Sequence, residues 1–565
     1  MINKITSNKK NILIFLLIAT FITSFSLLLS KMYWGHDLVF HLSRIRAIKD
    51  NLNLGVVGGY MYPNYLDGYG YGNPLFYPDI FLYIPAIISY LGLSILSSYK
   101  LFLVLINFLT FLTMYITIKS ITGNKKSAIV SSIMYGCASY KQIDMYTRAA
   151  LGETLSFIFI PLIILGIYEI IYRDKNKFYI LVIGMSGLIL CHLISTYLIC
   201  IVLVILCLLN IKKLIKENRI WYIVISAIIT ILLTSYFVFP MLEQMLNDKF
   251  FFNNLDETSH LSTRALPLWS LFIEFPYYSY TKLWIPMGIG VAYVVSTIIY
   301  FKNYKKCTWF IHFCYITSIA FLIASTNIFP WNLFKNILSP IQFPWRFYLI
   351  STLLISIATG LLIDKIRLDL NKYFVYILIL CIIPAILINT LNCFNSKVID
   401  YNKYEISFGE YMPKGATEDY IYKRGNIITS TYPITHEFTK KGLSMNIKFN
   451  DNKKSNTLEL PLLYYKGYLA KVNGEYTSVS KSINGLVLID INQNSGEVIV
   501  NYKGTLVQHV TKIISIITLI AFSYYVIKKE VQYENKIRDK LCISIFKTNI
   551  SYDGFICLYR RISIW

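Results

Sequence analysis

The chain has 565 residues, 55% of them hydrophobic and only 15% charged, with a mean hydropathy of +0.51. That composition excludes a water-soluble globule, because apolar runs of about 20 residues, long enough to cross a ~30 Å hydrocarbon core, recur along it. The net charge of +23 would suit nucleic-acid binding in a soluble protein, but here the basic residues stand mostly in short loops between apolar runs, the positive-inside pattern, which argues against that class.

Lys4, Lys9 and Lys10 precede the first apolar run, 12–30. That run lacks a small-residue cleavage site and reads as a retained signal anchor with a cytoplasmic N-terminus. Trp34-Gly35-His36-Asp37-Leu38-Val39-Phe40-His41-Leu42-Ser43-Arg44 follows it. Asp37, His41 and Arg44 are spaced i, i+4, i+7 and share one face if the segment is helical. An acid at the end of a membrane span is a functional candidate, while Asp37 also suits the N-cap of a helix over 38–50.

Next comes a segment from Gly58 to Pro74 too rich in Gly, Pro and Tyr to be helical. Its tyrosines suit either a sugar-binding wall or an interfacial aromatic belt. The apolar run 80–96 is read as a re-entrant or interfacial helix within a first outer loop, 31–97. Further spans are expected at 98–119, 127–140, 152–171, 178–191, 195–211, 221–240, 284–301, 308–325, 346–363, 373–391 and 510–527. With 80–96 not crossing, the basic clusters at 119–126, 173–177, 212–219, 302–306 and 365–372 all fall inside, at roughly 1 kcal/mol per basic residue near an anionic leaflet. The expectation is a polytopic α-helical membrane protein of about 12 spans with both termini cytoplasmic.

This orientation gathers unusual polar residues outside: the Asp37 stretch, Arg148 and Glu153, the turn at His192, His260 and Arg264, Glu274-Phe275-Pro276-Tyr277-Tyr278, and Phe343-Pro344-Trp345-Arg346. Charges beside aromatics at headgroup level also serve as plain interfacial anchors. From 395 to 508 the pattern turns to alternating apolar and polar runs, and Val472-Asn473-Gly474-Glu475 is a two-residue hairpin signal. The division expected is a helical domain over 1–394, a small extracytoplasmic β-sandwich over 395–508, and a last span with a cytoplasmic tail over 509–565.

Gly35-His36-Asp37 with Phe40-His41 and Arg44, Gly72-Asn73-Pro74-Leu75-Phe76-Tyr77, Arg148-Ala149-Ala150-Leu151-Gly152-Glu153, the 339–346 stretch, and Leu463-Tyr464-Tyr465-Lys466-Gly467-Tyr468 occur in order across nearly the whole chain. In that arrangement the chain resembles the GT-C superfamily of integral-membrane glycosyltransferases, closest to YfhO-like and 6-pyruvoyl-tetrahydropterin synthase-related bacterial membrane proteins. The resemblance implies transfer of a sugar from a polyprenyl-phosphate-type donor to a cell-envelope glycopolymer, lipid or protein at the outer face, with inversion. It also implies an acid in the first outer loop acting as base, and Asp37 matches that place.

A carboxylate in a partly desolvated site suits proton removal from an acceptor hydroxyl, and cations suit the leaving phosphate. Arg346 is the first candidate cation, followed by Arg148 and Lys141. Glu153 is expected to share the acid–base role or orient the acceptor, its alternative being a solvated helix cap. His36, His41, Arg44 and Tyr77 are the expected substrate-side neighbours. A metal site from His36, Asp37, His41 and Glu153 lacks a further ligand in sequence, so no metal and no cofactor is expected. The competing class is a transporter, flippase or scaffold for lipid-linked saccharides, which intramembrane charges or an inverted repeat would favour.

Overall fold

The computed structural model describes residues 1–29, 32, 34–254, 261–272, 277–279, 282–285, 288–395 and 409–547. His260 and Glu274-Phe275-Pro276 lie outside the described residues. Among the described residues, six helices are long and apolar enough to cross a membrane: Ile95–Thr122, Leu151–Tyr172, Ile220–Asn247, Pro344–Ile366, Leu370–Leu391 and Leu506–Gln532. The chain is a multi-pass membrane protein. Shorter helices occupy the other expected spans: Lys9–Thr23, Lys125–Gly136, Tyr179–Ile189, Leu193–Leu209, Val291–Lys302 and Trp309–Ala324. A helix of 11 or 12 residues covers only about 17 Å, so helix length by itself carries fewer crossings than the expected dozen.

Small residues set the helix spacing. A Cβ at Gly166 would lie 2.6 Å from the Leu181 Cα, and one at Gly184 would lie 2.9 Å from the Ile163 N. The Leu151–Tyr172 and Tyr179–Ile189 helices therefore meet backbone to backbone, the close approach that small residues permit where lipid gives no hydrophobic drive to association. The 80–96 run is not one continuous helix: it forms a turn of 3-10 helix and a helix over Tyr83–Tyr90. Ser94 then caps the start of the long Ile95–Thr122 helix by accepting from the Ser97 N–H at 3.1 Å.

Basic turns gather at one end of the bundle. Arg173 Nη1 donates to the Ser120 carbonyl at 2.6 Å, Arg219 Nη1 to the Ile170 carbonyl at 2.6 Å, and Asn124 Nδ2 to Asp364 Oδ1 at 2.8 Å. The two arginine bonds satisfy carbonyls that helix C-termini leave open, and the Asn124 bond ties its turn to the end of the Phe347–Ile366 helix. Glu153, His192 and Arg346 stand at the starts of the Leu151–Tyr172, Leu193–Leu209 and Phe347–Ile366 helices, the ends opposite the basic turns, and Asp37 joins them through its backbone bond to the Arg148 carbonyl.

Strands from Thr429 to Tyr502 form a four-stranded and a five-stranded sheet. Inward side chains of both, among them Ile447, Phe449, Leu458, Leu460, Val487, Ile489, Val498 and Val500, share one buried cluster, the arrangement of a sandwich. The hairpin reads as the sequence requires: Val472 pairs with Glu475, and Asn473 and Gly474 both take positive φ, 49° and 89°. The sandwich sits on the segment that follows the Asp37 helix. Leu463 N donates to the Tyr69 carbonyl at 2.9 Å, and Tyr69 Oη to the Gly425 carbonyl at 2.5 Å.

That contact changes the reading of the tyrosine-rich segment. Tyr62, Tyr65, Tyr69 and Tyr71 are all buried, with Tyr65 stacked on Tyr62 at 5.4 Å and on Tyr71 at 5.6 Å. They form neither a sugar-facing wall nor an interfacial belt. They are the core between helix and sandwich, where a large ring removes much apolar surface from water.

Candidate functional site

Helix Leu38–Asn53 follows Asp37, which stands at the N-cap position, but its side chain makes no capping bond. The turn is held by its backbone instead: His36 N donates to the Thr147 carbonyl at 3.3 Å and Asp37 N to the Arg148 carbonyl at 2.9 Å. Gly35 is needed for this approach, since a Cβ there would lie 2.8 Å from the Ala149 Cβ. The partner segment is itself unusual. Ile143–Arg148 is a π-helix, a form that recurs at functional sites, and it ends at Ala149 with φ +52°, a cost that persists only where surroundings enforce it.

The π-helix aims Arg148 at two acids. Its Nη1 donates to Asp144 Oδ1 at 2.5 Å and to Glu153 Oε2 at 2.9 Å. Arg346, brought in by the Pro344–Arg346 turn, donates from Nε to the same Glu153 oxygen at 3.3 Å. Its Nη1 donates to the Ile341 carbonyl and to Gln342 Oε1, both at 2.7 Å. Gln342 holds φ +64°, and Arg264 secures it from behind by donating to its carbonyl at 3.1 Å. Tyr140 Oη donates to Glu153 Oε1 at 2.5 Å. Glu153 is therefore 1% exposed with both carboxylate oxygens engaged: it is not a solvated cap, and it holds the two arginines together. Nη2 of Arg148 and Nη2 of Arg346 make no hydrogen bond within the described residues.

Asp37 differs from Glu153 in kind. Its carboxylate is half-buried and accepts no hydrogen bond from the described residues. Burial raises its pKa, Arg148 and Arg346 pull it back in part, and Glu153 adds to the rise. His36 is beside it, its ring 5.1 Å from Trp34 and its Nε2 buried without a partner. Burial and the nearby Arg148 charge push the His36 pKa down to about 4, so the ring is neutral at physiological pH.

The other expected substrate neighbours are committed to structure. His41 lies between the Leu151 N–H and Arg44 Nη1, each 3.3 Å from a ring nitrogen; burial and the Arg44 charge keep the ring neutral, so it accepts from one of the two. Arg44, 1% exposed, donates from Nη2 to Asp79 Oδ1 at 2.5 Å and to the Pro78 carbonyl at 2.8 Å, and lies 4.1 Å from the Tyr77 ring centre. Arg44 thus pins the Tyr77-Pro78-Asp79 turn and does not open on the site. Tyr77 does: it is half-buried, stacked on Phe40 at 6.1 Å, with its hydroxyl against Gly152. Lys141 is fully buried elsewhere, bonded to Asn107 Oδ1 and to the Gly136 carbonyl.

Asp144, Tyr140, Gln342 and Asp79 were not singled out from sequence. Asp144 has a legible signal, lying four residues before Arg148 in a helical stretch. Asp79 has none until Arg44 is known to be buried and in need of a counter-charge. Among the described residues no group of three or more His, Cys, Asp or Glu is placed to hold a metal ion.

A family model described as a family of unknown function, DUF6541, matches residues 9–338. An uncharacterized protein of Lactococcus lactis subsp. cremoris (strain MG1363) is 26% identical over 338 residues, 56% of this chain and 54% of that protein. The chain thus spans about half the length of the curated relative it matches. Among solved structures, arabinofuranosyltransferase AftD from mycobacteria aligns at a TM-score of 0.42 and 12% identity, covering 68% of this chain and 27% of that one. The archaeal oligosaccharyltransferase AglB from Archaeoglobus fulgidus aligns at 0.37 and 11%, covering 69% and 57%.

Proposed function

We propose that the chain, which belongs to the DUF6541 family, is a membrane glycosyltransferase of GT-C type that transfers a sugar from a polyprenyl-phosphate-type donor to a cell-envelope acceptor. The observation that carries this reading is the half-buried Asp37 carboxylate, which accepts no hydrogen bond from the described residues and feels the charges of Arg148 and Arg346, both held by one buried glutamate.

In this reading Asp37 takes the proton of the acceptor hydroxyl as its oxygen attacks the anomeric carbon. The bond from that carbon to the donor phosphate oxygen breaks as the new bond forms, with inversion. Nη2 of Arg148 and Nη2 of Arg346 bind the departing phosphate, whose charge grows in the transition state. Glu153 fixes both guanidiniums beforehand, so they need no reorganisation. Tyr77, on the open side of the Asp37 helix, contributes a ring edge for the sugar, and neutral His36 offers a nitrogen to a hydroxyl. The outer-face location rests on the basic turns collecting at the end opposite Asp37, which the positive-inside rule puts in the cytoplasm, and both termini go with them. The finer likeness to YfhO-like proteins rests on the sequence motifs alone.

One observation favours a transport reading as the second choice: Lys141 is fully buried against Asn107, midway along the Ile95–Thr122 helix. Asp37→Asn separates the two. In cells relying on this chain, the variant should abolish sugar addition to envelope polymers while polyprenyl-phosphate-linked sugar accumulates. Unchanged modification at normal expression would rule out the base role.

A further inference from the structure

A second concave site lies at the far end of the helix that Asp37 begins. A cavity of about 640 Å³ opens between the C-terminal turn of Leu38–Asn53, the Lys441–Ser444 turn of the sandwich, and the start of the last span. Along the Leu38–Asn53 helix this is about 20 Å from Asp37 at 1.5 Å per residue. Its lining includes Lys441, Lys503, His509 and Lys512, and no lining residue is acidic. Lys441 and Lys503 make no ion pair among the described residues, and both are exposed. Lys512 is fixed at the wall, donating to the Gly58 carbonyl at 2.8 Å and standing 4.4 Å from the Tyr60 ring centre. Asn51 and Gln508 add neutral polar groups.

The rim is apolar. Leu54 and Val56 line the cavity and are exposed, as are their neighbour Val57 and Leu506, the first residue of the last span. One-sign charge in a concavity with low-dielectric walls focuses potential on a counter-ion, and lysines bind phosphate as point charges. An apolar rim beside a membrane-crossing helix adds a place for a hydrocarbon chain.

We propose that this cavity binds a phosphodiester anion, in a site separate from the Asp37 centre and independent of any chemistry there. An anionic phospholipid headgroup and a soluble phosphodiester share that chemistry, and the apolar rim favours the lipid.

The test uses full-length protein in nanodiscs of phosphatidylcholine. One arm titrates short-chain phosphatidylglycerol, and the other titrates glycerophosphoglycerol, the same phosphodiester without acyl chains. Binding of phosphatidylglycerol alone assigns a lipid headgroup, and binding of both assigns recognition centred on the phosphodiester. In either case Lys441→Gln with Lys503→Gln should weaken binding about tenfold or more and flatten its dependence on salt. Both residues are exposed, so an unchanged melting temperature verifies the fold of the double variant. Asp37→Asn should bind as tightly as the unaltered chain, which keeps this result apart from the fate of the glycosyltransferase reading. No binding in either arm, or a double variant that binds normally, overturns the proposal.

Discussion

Arg346 donates from Nε to Glu153 Oε2 at 3.3 Å across 193 residues of sequence, joining the start of one crossing helix to the start of another. Arg148 uses the same oxygen at 2.9 Å, so one carboxylate fixes two cations. Removing it leaves two buried guanidiniums, one still bonded to Asp144 and both near the Asp37 charge. Glu153→Gln should therefore cost about 3–5 kcal/mol of stability, the usual result of breaking a buried pair from one side, and lower kcat more than it changes KM. Asp37→Asn should leave the melting temperature unchanged or raised, because it neutralises a partly desolvated acid that accepts no hydrogen bond from the described residues. A Glu153→Gln protein that melts and turns over normally would refute the positioning role.

The acid limb of activity should follow Asp37. A base works deprotonated, and burial raises its pKa above the ordinary carboxylate value of about 4. Activity should therefore fall as pH drops through that raised value, earlier than for an exposed carboxylate. His36, held down at about 4, stays neutral over the same range and adds no limb near neutrality. A pH–rate profile flat down to pH ~4 would contradict the assignment.

Gly152 is occupied space. A Cβ there would overlap the Tyr77 hydroxyl and lie 2.7 Å from the Cys191 carbonyl oxygen. Gly152→Ala should push Tyr77 off its stack with Phe40 and raise KM for the sugar donor severalfold, with about 1–3 kcal/mol of overpacking cost. Pairing it with Tyr77→Phe, which removes the hydroxyl, should recover part of that stability. No recovery in a melting experiment would place the strain at Cys191 instead.

Gly123 ends the Ile95–Thr122 helix at φ +74°, with nothing within 4 Å of a Cβ. A cysteine there should remain shielded from an impermeant thiol reagent in intact cells and react after permeabilisation. Strong labelling in intact cells would invert the orientation, and with it the outer-face location.

Much of this protein is written in local pattern. Apolar runs are helices because lipid leaves backbone groups no other partner, and the alternation after 429 makes sheets because strand side chains face opposite ways every second residue. Asn473-Gly474 turns where it does because both residues tolerate positive φ. The prominence of Asp37, Arg148, Glu153 and Arg346 was legible from charge at the ends of apolar runs. Their division of labour was not. Local sequence could not separate a free acid from a saturated one, since Asp37 and Glu153 are both carboxylates beginning helices. Only the arrival of Arg346, 193 residues away, on the Glu153 oxygen that Arg148 already holds, and the turning inward of Arg44 onto Asp79, decides which groups are structure and which remain open. The physical reason is that desolvation and pairing depend on what surrounds a group in space, and those neighbours come from separate segments, 35 residues away for Arg44 and Asp79 and 193 for Glu153 and Arg346.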